Sequence, residues 1–303
     1  MIRTVRAGVV EIAYLESGEP AGWPVVLLHG FPYEPHIFDA VAPLLAADGA
    51  RVLVPWLRGY GSTRFLDPAT PRSGQQAALA RDLEAFLDAL AIPRALLAGH
   101  DWGGRAGCIL AALHPERVSA LVSLGSYNIQ DIAGSARPLA PAMEERLWYQ
   151  YYFHSARGER ALAENRAALC RHLWRLWSPA WRFAESRFAQ AASAFENPDF
   201  VAVVVHSYRH RFALVPGDPA AAAMEAALAA QPPIVVPAVT LDGGADGVAP
   251  AEGTADHARH FRGPREHRTI PHAGHNLPEE APEAFAAAVL RARALAAGAQ
   301  AGR

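Results

Sequence analysis

Asp101, Asp246 and His275 have side chains suited to nucleophilic catalysis through a covalent intermediate, and each follows a short apolar run of sequence. Asp101 lies within GHDWGG at residues 99–104. The glycines two positions before and after it permit a sharp turn from a strand into a helix. Such a turn exposes the central side chain and directs a helix N-terminus at it, which stabilises negative charge. Asp101 is therefore a candidate nucleophile, and a helix N-cap is the alternative role for the same carboxylate.

An acid and a base that would assist Asp101 are both predicted to lie in loops. Asp246 follows an apolar run in a glycine-rich loop, and His275 directly precedes a predicted helix. Asp242 and His272 are the alternatives, but Asp242 is still at the strand end and His272 is more typical of an exposed loop. The order nucleophile, acid, histidine is the one that enzymes with this turn use. The sequence therefore predicts that Asp246 orients His275 as the base.

Alternating strand and helix patterns predict an open, doubly wound α/β sheet that brings these loops to one edge. Short apolar runs bounded by glycine or proline are typical of buried parallel strands. They occur at residues 9–17, 24–28, 51–55, 95–99, 118–124, 234–242 and 267–271. Helical patterns lie between them, at residues 36–48, 73–91, 103–114, 251–261 and 279–297.

Residues 130–230 interrupt this alternation because they contain no comparable buried-strand run. They are predicted to form amphipathic helices, and because they hold four of the seven tryptophans they need apolar surface to pack against. Proline and glycine clusters mark both ends of the segment. We therefore expect a helical cap over the carboxyl edge of the sheet, inserted into a core domain formed by residues 1–129 and 231–303.

The motifs together resemble those of soluble-type epoxide hydrolases, which have the α/β-hydrolase fold and are relatives of haloalkane dehalogenases. The resemblance covers about residues 9–290. It rests on HGFP at residues 29–32, RGYG at 58–61, GHDWGG at 99–104, Asp246 and the pair Gly274-His275. GHDWGG is specific for members with an aspartate nucleophile, whereas the other motifs mark the superfamily. The resemblance implies a mostly parallel eight-stranded sheet flanked by helices, with the cap inserted after the sixth sheet strand.

Further roles follow from the resemblance. Enzymes of this fold hold a reacting oxyanion with two backbone N–H groups, which correspond here to those of Phe31 and Trp102. Two cap tyrosines donate hydrogen bonds to the epoxide oxygen, and the matching residues are Tyr149 in YQYYF and Tyr208 in the pair Tyr208-Arg209. These four residues would also contact the substrate. The string also contains Tyr151 and Tyr152, which are better explained as core aromatic residues on a helix.

The implied reaction converts an apolar epoxide and water to a vicinal diol. Asp101 attacks an epoxide carbon and forms an alkyl ester, while Tyr149 and Tyr208 stabilise or protonate the leaving alkoxide. His275, held by Asp246, then removes a proton from the water that hydrolyses the ester. Because His275 must be neutral for this step, activity is expected to fall in acid.

Three competing functions are weaker. A haloalkane or haloacid dehalogenase would use the same Asp101, and the Trp102 indole would bind the halide. The second halide donor of that family, often an asparagine where Phe31 lies, is missing, and fluoroacetate-type enzymes carry an arginine directly after the nucleophile. An esterase or lactonase would need a serine or cysteine at the turn. A non-catalytic binding protein would be expected to have a broken triad.

Composition is consistent with a soluble globular enzyme. The chain has 303 residues, of which 51% are hydrophobic and 19% charged, and its net charge of −2 favours neither nucleic acid nor an anionic membrane as a partner. Cys108 and Cys170 lie in apolar helical patterns and are predicted to be buried thiols. The N-terminal stretch lacks the apolar core of a signal peptide, so a cytoplasmic location is the default expectation. No cofactor or metal site is indicated, and the monomer and the homodimer remain open.

Overall fold

A nine-stranded sheet forms the centre of the computed structural model, which describes residues 2–301. Its strands are β1 (Ile2–Ala7), β2 (Val10–Gly18), β3 (Trp23–Leu28), β4 (Ala50–Pro55), β5 (Arg64–Phe65), β6 (Ala95–Gly99), β7 (Val118–Leu124), β8 (Ala238–Gly243) and β9 (Arg265–Ile270). Their order is β1-β2-β4-β3-β6-β7-β8-β9, and β5 pairs with β2. β2 is antiparallel to its neighbours β1, β4 and β5. The strands β4, β3, β6, β7, β8 and β9, which follow one another across the sheet, are parallel.

Helices cover both faces of this sheet. They are α1 (Val41–Ala47), α2 (Gln76–Ala89), α3 (Trp102–Leu113), α4 (Pro141–Arg146), α5 (Trp148–His154), α6 (Ala156–Trp177), α7 (Glu185–Ala194), α8 (Phe200–Arg211), α9 (Ala222–Leu228), α10 (Leu277–Glu280) and α11 (Pro282–Ala301). α1 packs against α11, α2 packs against α3, and β7 contacts both α3 and α11. The predicted α/β-hydrolase fold is confirmed.

Apolar burial explains why the central strands are rigid. Every residue of β6 is buried, as are the residues of β3 from position 25 onward. Fully burying a valine or leucine side chain contributes roughly 1.5–3 kcal/mol to the stability of the fold, so these short runs stabilise the centre of the sheet. The loops that leave the carboxyl ends of the parallel strands are thereby held at one edge of the sheet.

One predicted strand begins later than expected. The apolar run at 234–242 becomes β8 only from Ala238, and Ile234 forms an isolated bridge with Phe261. Pro237 separates the two parts, and proline has no N–H to donate to a sheet. The apolar pattern therefore located the strand but not its start.

Several helical predictions also differ in detail. The segment predicted at 36–48 is a 3-10 turn at Pro35–Phe38 followed by α1, and the one at 251–261 is a 3-10 helix at Ala251–His260. The pattern at 279–297 is divided into α10 and α11 near Pro282, a residue that favours the start of a helix. β1 was not predicted because its exposed, arginine-containing sequence pairs only with β2 at the sheet edge.

Six helices, α4 to α9, lie between β7 and β8, and we refer to them as the inserted helices. α5 packs against α6 and α8, so the three form a layer of their own. Within residues 2–301, no helix combines the length and the apolar character that crossing a bilayer requires.

Candidate active site

Asp101 occupies the turn between β6 and α3 in a strained conformation, with φ of 50° and ψ of −115°. Strain of this kind costs about 1–3 kcal/mol and persists only where the surroundings enforce it. A Cβ atom on Gly99 would lie 2.5 Å from backbone atoms of Gly103, and one on Gly103 would overlap the carbonyl group of Leu28. The two glycines therefore allow α3 to pack closely against the sheet, which fixes the turn.

The carboxylate of Asp101 faces the loop after β3. Its Oδ1 accepts a hydrogen bond from the N–H of Phe31 at 2.9 Å, and its side chain forms no cap hydrogen bond to α3 in the described chain, so the N-cap alternative is wrong. A Cβ atom on Gly30 would overlap Asp101 and lie 2.7 Å from the backbone nitrogen of Trp102. The backbone nitrogens of Phe31 and Trp102 thus lie beside the carboxylate, where they can bind one oxygen anion.

His275 and Asp246 meet at the same edge. His275 Nδ1 lies 2.7 Å from Asp246 Oδ2, and the other carboxylate oxygen accepts the N–H groups of Val248 and Ala249 at 2.8 Å. His275 Nε2 lies 4.0 Å from Asp101 Oδ2. These bonds orient the imidazole so that Nε2 faces the nucleophile.

The alternative acid and base have other surroundings. Asp242 is buried, but its Oδ2 contacts Thr254 and lies 3.4 Å from His267 Nε2, whereas the Nδ1 of His275 is bonded to Asp246. His272 is exposed. The geometry therefore favours the pair Asp246 and His275.

Electrostatics keeps Asp101 ionised. Burial opposes ionisation, but the nearby charges of Arg105 and His275 and the Phe31 N–H together hold its pKa below the usual value. Burial likewise opposes protonation of His275, yet the charge and hydrogen bond of Asp246 outweigh it and raise the pKa of His275. An ionised carboxylate and a histidine of enhanced basicity are thus neighbours.

Two tyrosines from the inserted helices face this pair. Tyr149 in α5 and Tyr208 in α8 are 5% and 3% exposed, and their ring centroids lie 5.3 Å apart. The ring of Phe31 contacts both, with centroids at 6.4 Å and 5.5 Å. Burial raises the pKa of Tyr149 to about 12 and that of Tyr208 as well, so both phenols keep their protons and can donate them. By contrast, Tyr151 is exposed and bonds to Glu144, so the prediction that it is a core aromatic residue is wrong.

A cavity of about 270 Å³ lies between Asp101, His275 and the inserted helices. Its charged and amide lining comes from the sheet edge, from α3 and from the inserted helices, and it comprises Asp101, Arg105, Asn128, Gln150, Arg211, Asp242, Asp246 and His275. Tyr149 also lines it. Among the residues that the structure describes, no three His, Cys, Asp or Glu side chains are grouped to hold a metal ion.

Three residues of this region were not predicted from the sequence. Arg105 lies four positions after Asp101 in α3, a spacing that brings side chains to one helix face and could have indicated it. Arg211 ends α8, and no local pattern distinguishes it from a solvated arginine. Trp177 ends α6, and its buried indole N–H has no acceptor in the described chain, with its ring 5.1 Å from that of His275.

The sequence matches the α/β hydrolase fold family over residues 24–282. The chain belongs to this family. A solved structure from Klebsiella pneumoniae, named a putative epoxide hydrolase, is 45% identical, with a TM-score of 0.94 over 96% of this chain and 97% of that one.

Curated relatives match over shorter stretches. Bifunctional epoxide hydrolase 2 of Rattus norvegicus is 36% identical over 41% of this chain and 21% of its own length. Epoxide hydrolase A of Mycobacterium tuberculosis is 30% identical over 50% of this chain and 45% of its own length. The matched region therefore spans less than half of either curated relative.

Proposed function

We propose that this member of the family is an epoxide hydrolase that converts a small epoxide to a vicinal diol through an ester on Asp101. The observation that carries the proposal is the pair of buried phenols, Tyr149 and Tyr208, on the inserted-helix side of the Asp101 carboxylate. Ring opening produces a basic alkoxide that needs a proton or strong hydrogen bonds, and two protonated phenols supply them. Relatives named epoxide hydrolase support the same reaction class.

In the first step, Oδ2 of Asp101 bonds to an epoxide carbon while the C–O bond of the ring breaks. This oxygen is the free one, because Oδ1 accepts the Phe31 N–H. The electron pair of the broken bond passes to the epoxide oxygen, and Tyr149 or Tyr208 donates a proton to it.

In the second step, His275 Nε2 takes a proton from water, and the hydroxide adds to the carbonyl carbon of the ester. The N–H groups of Phe31 and Trp102 bind the resulting oxyanion. The acyl–oxygen bond then breaks, and the leaving oxygen, which belonged to Asp101, takes the proton from His275 Nε2 as the diol departs. The proton released by the new carboxyl group restores the phenol. Water supplies the oxygen that restores the carboxylate.

The inserted helices act as a cap in this scheme, as expected for residues 130–230 within a core of residues 1–129 and 231–303. They supply both phenols, and the carbonyl of Trp177 at the end of α6 accepts the N–H groups of His275 and Gly247 at 3.1 and 2.9 Å. The cap therefore carries both proton donors and also contacts the loop of His275 and the loop of Asp246.

Replacing the base tests the covalent step. His275→Ala should still form the ester but should not hydrolyse it, so incubation with styrene oxide and intact-mass measurement should reveal an adduct of one epoxide per chain. His272→Ala is the matched control and should turn over without accumulating an adduct. An adduct-free His275→Ala protein beside an active wild type would contradict the ester.

Isotope labelling tests the route of the oxygen atoms. In a single turnover in water labelled with heavy oxygen, the label should enter Asp101 and not the diol. Peptide mass spectrometry of residues around Asp101 would detect it. Label found directly in the diol would show that water, and not the carboxylate, attacks the epoxide.

Dehalogenation is the second candidate, and one observation favours it. The unpartnered indole N–H of Trp177, in the ring cluster around His275, is a donor that a departing halide ion could accept. A halide leaves without a proton, however, and would make no use of two phenols. Halide release from 1-chlorobutane or fluoroacetate, measured beside diol formation, decides between the two reactions.

A further inference from the structure

Arg105 is a buried cation with no partner of its own. It is 4% exposed, its Nε has no hydrogen-bond acceptor, and no ion pair to it occurs within residues 2–301. Placing an unpaired guanidinium in the interior is unfavourable unless an anion compensates it. The residue lines the cavity that contains Asp101, whose charge acts on it without a direct ion pair, so its hydrogen-bond donors remain available to an anion that enters this cavity.

Arg211 brings a second guanidinium to the same cavity. Its Nη1 donates to Gln150 Oε1 at 2.9 Å, and with the amide of Gln130 oriented to accept, its Nη2 and Nε donate there at 2.9 and 2.5 Å. Neutral amides thus fix its position, and it forms no ion pair with the carboxylates of the described chain. Burial, followed by the nearby charge of Arg211, lowers the pKa of Arg105 to about 10, which still leaves it protonated at neutral pH.

The negative groups of the cavity are mostly engaged elsewhere. Asp246 is paired with His275, and Asp242 is paired with His267 and Thr254. Only the Asp101 charge remains to balance the two arginines, and Asp101 loses that charge when its ester forms. When the ester forms, the charge of Asp101 disappears, and no other carboxylate of the cavity forms an ion pair with either arginine among the described residues.

We propose that the substrate carries a carboxylate, which Arg105 and Arg211 bind while the epoxide ring lies against Asp101. This inference rests on the proposed function and narrows its substrate class. A guanidinium presents paired donors that match a carboxylate, and such charge-assisted bonds are strong in a desolvated site. The cavity of about 270 Å³ lies just below the usual range of about 300–1,000 Å³ for ligand pockets, so a short epoxy acid is the expected size.

The entrance is consistent with an anionic substrate. Leu147, Gln150 and Arg211 line both the catalytic cavity and a wider outer cavity of about 780 Å³. An anion that enters from the outer cavity therefore meets Arg211 before it meets Arg105. The apolar substrate expected from the cap aromatics is revised on this basis to one with an apolar part and one acidic group.

The test compares glycidate with glycidamide, a neutral epoxide of nearly the same shape. The wild type should have a kcat/KM for glycidate at least about tenfold above that for glycidamide, because bonds between charged groups contribute more than neutral ones. Propionate should also inhibit competitively where propionamide does not. Epoxypropylphosphonate is a third substrate, in which a phosphonate replaces the carboxylate. A preference for it over glycidate would overturn the assignment of a carboxylate.

Variants separate anion binding from the other effect of Arg105, its lowering of the pKa of Asp101. Arg105→Met should impair both epoxides through Asp101 but should remove the preference for glycidate, whereas Arg105→Lys should retain part of it. Arg211→Gln lies at the cavity entrance and should reduce the preference even if Arg105→Met fails to fold. Arg209→Gln, in the same helix but bonded to Glu159, is the control and should keep the wild-type ratio.

The outcomes distinguish this inference from the proposed function. Equal turnover of glycidate and glycidamide would overturn the anion site and leave the epoxide hydrolase intact. Turnover of neither epoxide would contradict the proposed function, and calorimetric binding of propionate to wild type and to Arg211→Gln would then test the anion site alone. Binding that is equal in the two proteins would overturn it.

Discussion

At the scale of single residues, the proposed mechanism divides the protonation of the alkoxide between two phenols. Tyr149→Phe and Tyr208→Phe should each slow ester formation by about 10²-fold, because each removes one proton donor from the alkoxide, and the double variant should be slower still. Rapid-quench measurement of the ester should show that its hydrolysis rate is unchanged. Tyr151→Phe, on the exposed face of the same helix, is the control and should behave as the wild type. Ester formation at the wild-type rate in both single variants would remove the tyrosines from the mechanism.

The protonation of His275 should change during the catalytic cycle. Asp246 and Asp101 both raise its pKa in the free enzyme, so activity that requires the neutral imidazole is lost as the pH falls through a value above the ordinary 6.5. Ester formation neutralises Asp101 and removes one of these effects. The pH midpoint for ester hydrolysis should therefore lie below the midpoint found for the imidazole of the free enzyme by NMR titration.

Single-turnover hydrolysis rates across pH supply the first of these midpoints. His272→Ala should leave both midpoints where they are, since His272 is exposed and takes no part in the hydrogen bond between His275 and Asp246. A midpoint for hydrolysis equal to or above that of the free imidazole would show that the charge of Asp101 does not act on His275.

Sequence patterns located the groups with a recognisable motif and missed those without one. Asp101, Asp246 and His275 follow strand ends, where the parallel sheet brings distant segments together. Arg211 and Trp177 meet them only because α8 and α6 pack over the edge, and that packing depends on tertiary contacts which no local spacing encodes. Their roles are consequently visible only in three dimensions.

At the scale of elements, the close approach of α3 to β3 holds Asp101 in its turn. Gly103→Ala places a Cβ atom against the Leu28 carbonyl and should destabilise the protein by about 1–3 kcal/mol or more. Gly298→Ala is the matched control in α11, where a Cβ atom meets nothing within 4 Å and should stabilise by about 0.5–1 kcal/mol. Urea unfolding measures both. Equal free energies of unfolding for the two variants would contradict the close packing at the turn.

Element boundaries were harder to predict than element types. The buried runs at 95–99 and 118–124 coincide with β6 and β7, because an apolar run that is buried on both faces gives a strong signal. β8 starts late since proline interrupts its pairing, and the 3-10 helix at Ala251–His260 shares its apolar spacing with an α-helix too closely to be distinguished. The backbone hydrogen-bond partners of a segment decide where it starts and which type of element it forms, and those partners lie elsewhere in the chain.

At the scale of the whole molecule, the inserted helices are tied to the loops that carry the catalytic groups. The indole N–H of Trp174 donates to the Pro32 carbonyl at 2.8 Å, next to Phe31. Ser178 Oγ donates to Glu280 at 2.6 Å, close to the loop of His275. These bonds fix the distance between the phenols on one side and the carboxylate and base on the other.

An ion pair reinforces the same junction. Arg187 of α7 lies 2.7 Å from Glu279 of α10. It also lies 3.0 Å from Glu34, although the alignment of this contact is poor for a hydrogen bond. The Glu34 side chain is only 2% exposed, and burial raises its pKa despite the arginine. Arg187→Met would leave this carboxylate buried without its cation and should cost about 3 kcal/mol of stability at neutral pH.

The pH dependence of that loss tests whether the carboxyl groups of Glu34 and Glu279, whose pKa values are both raised by burial, are its source. A carboxyl group whose pKa is raised by folding favours the folded state while it is protonated, and it loses this contribution as the pH rises through the raised value. Without Arg187 the pKa should rise further, so the deficit of Arg187→Met should shrink on going from neutral to mildly acidic pH. Arg137→Met is the control, because Arg137 and Asp131 form an exposed pair on the surface, and it should change stability at neither pH. Urea unfolding of the three proteins at both pH values is the measurement, and a deficit that is the same at both would place the loss in packing against Trp174 rather than in the buried charge.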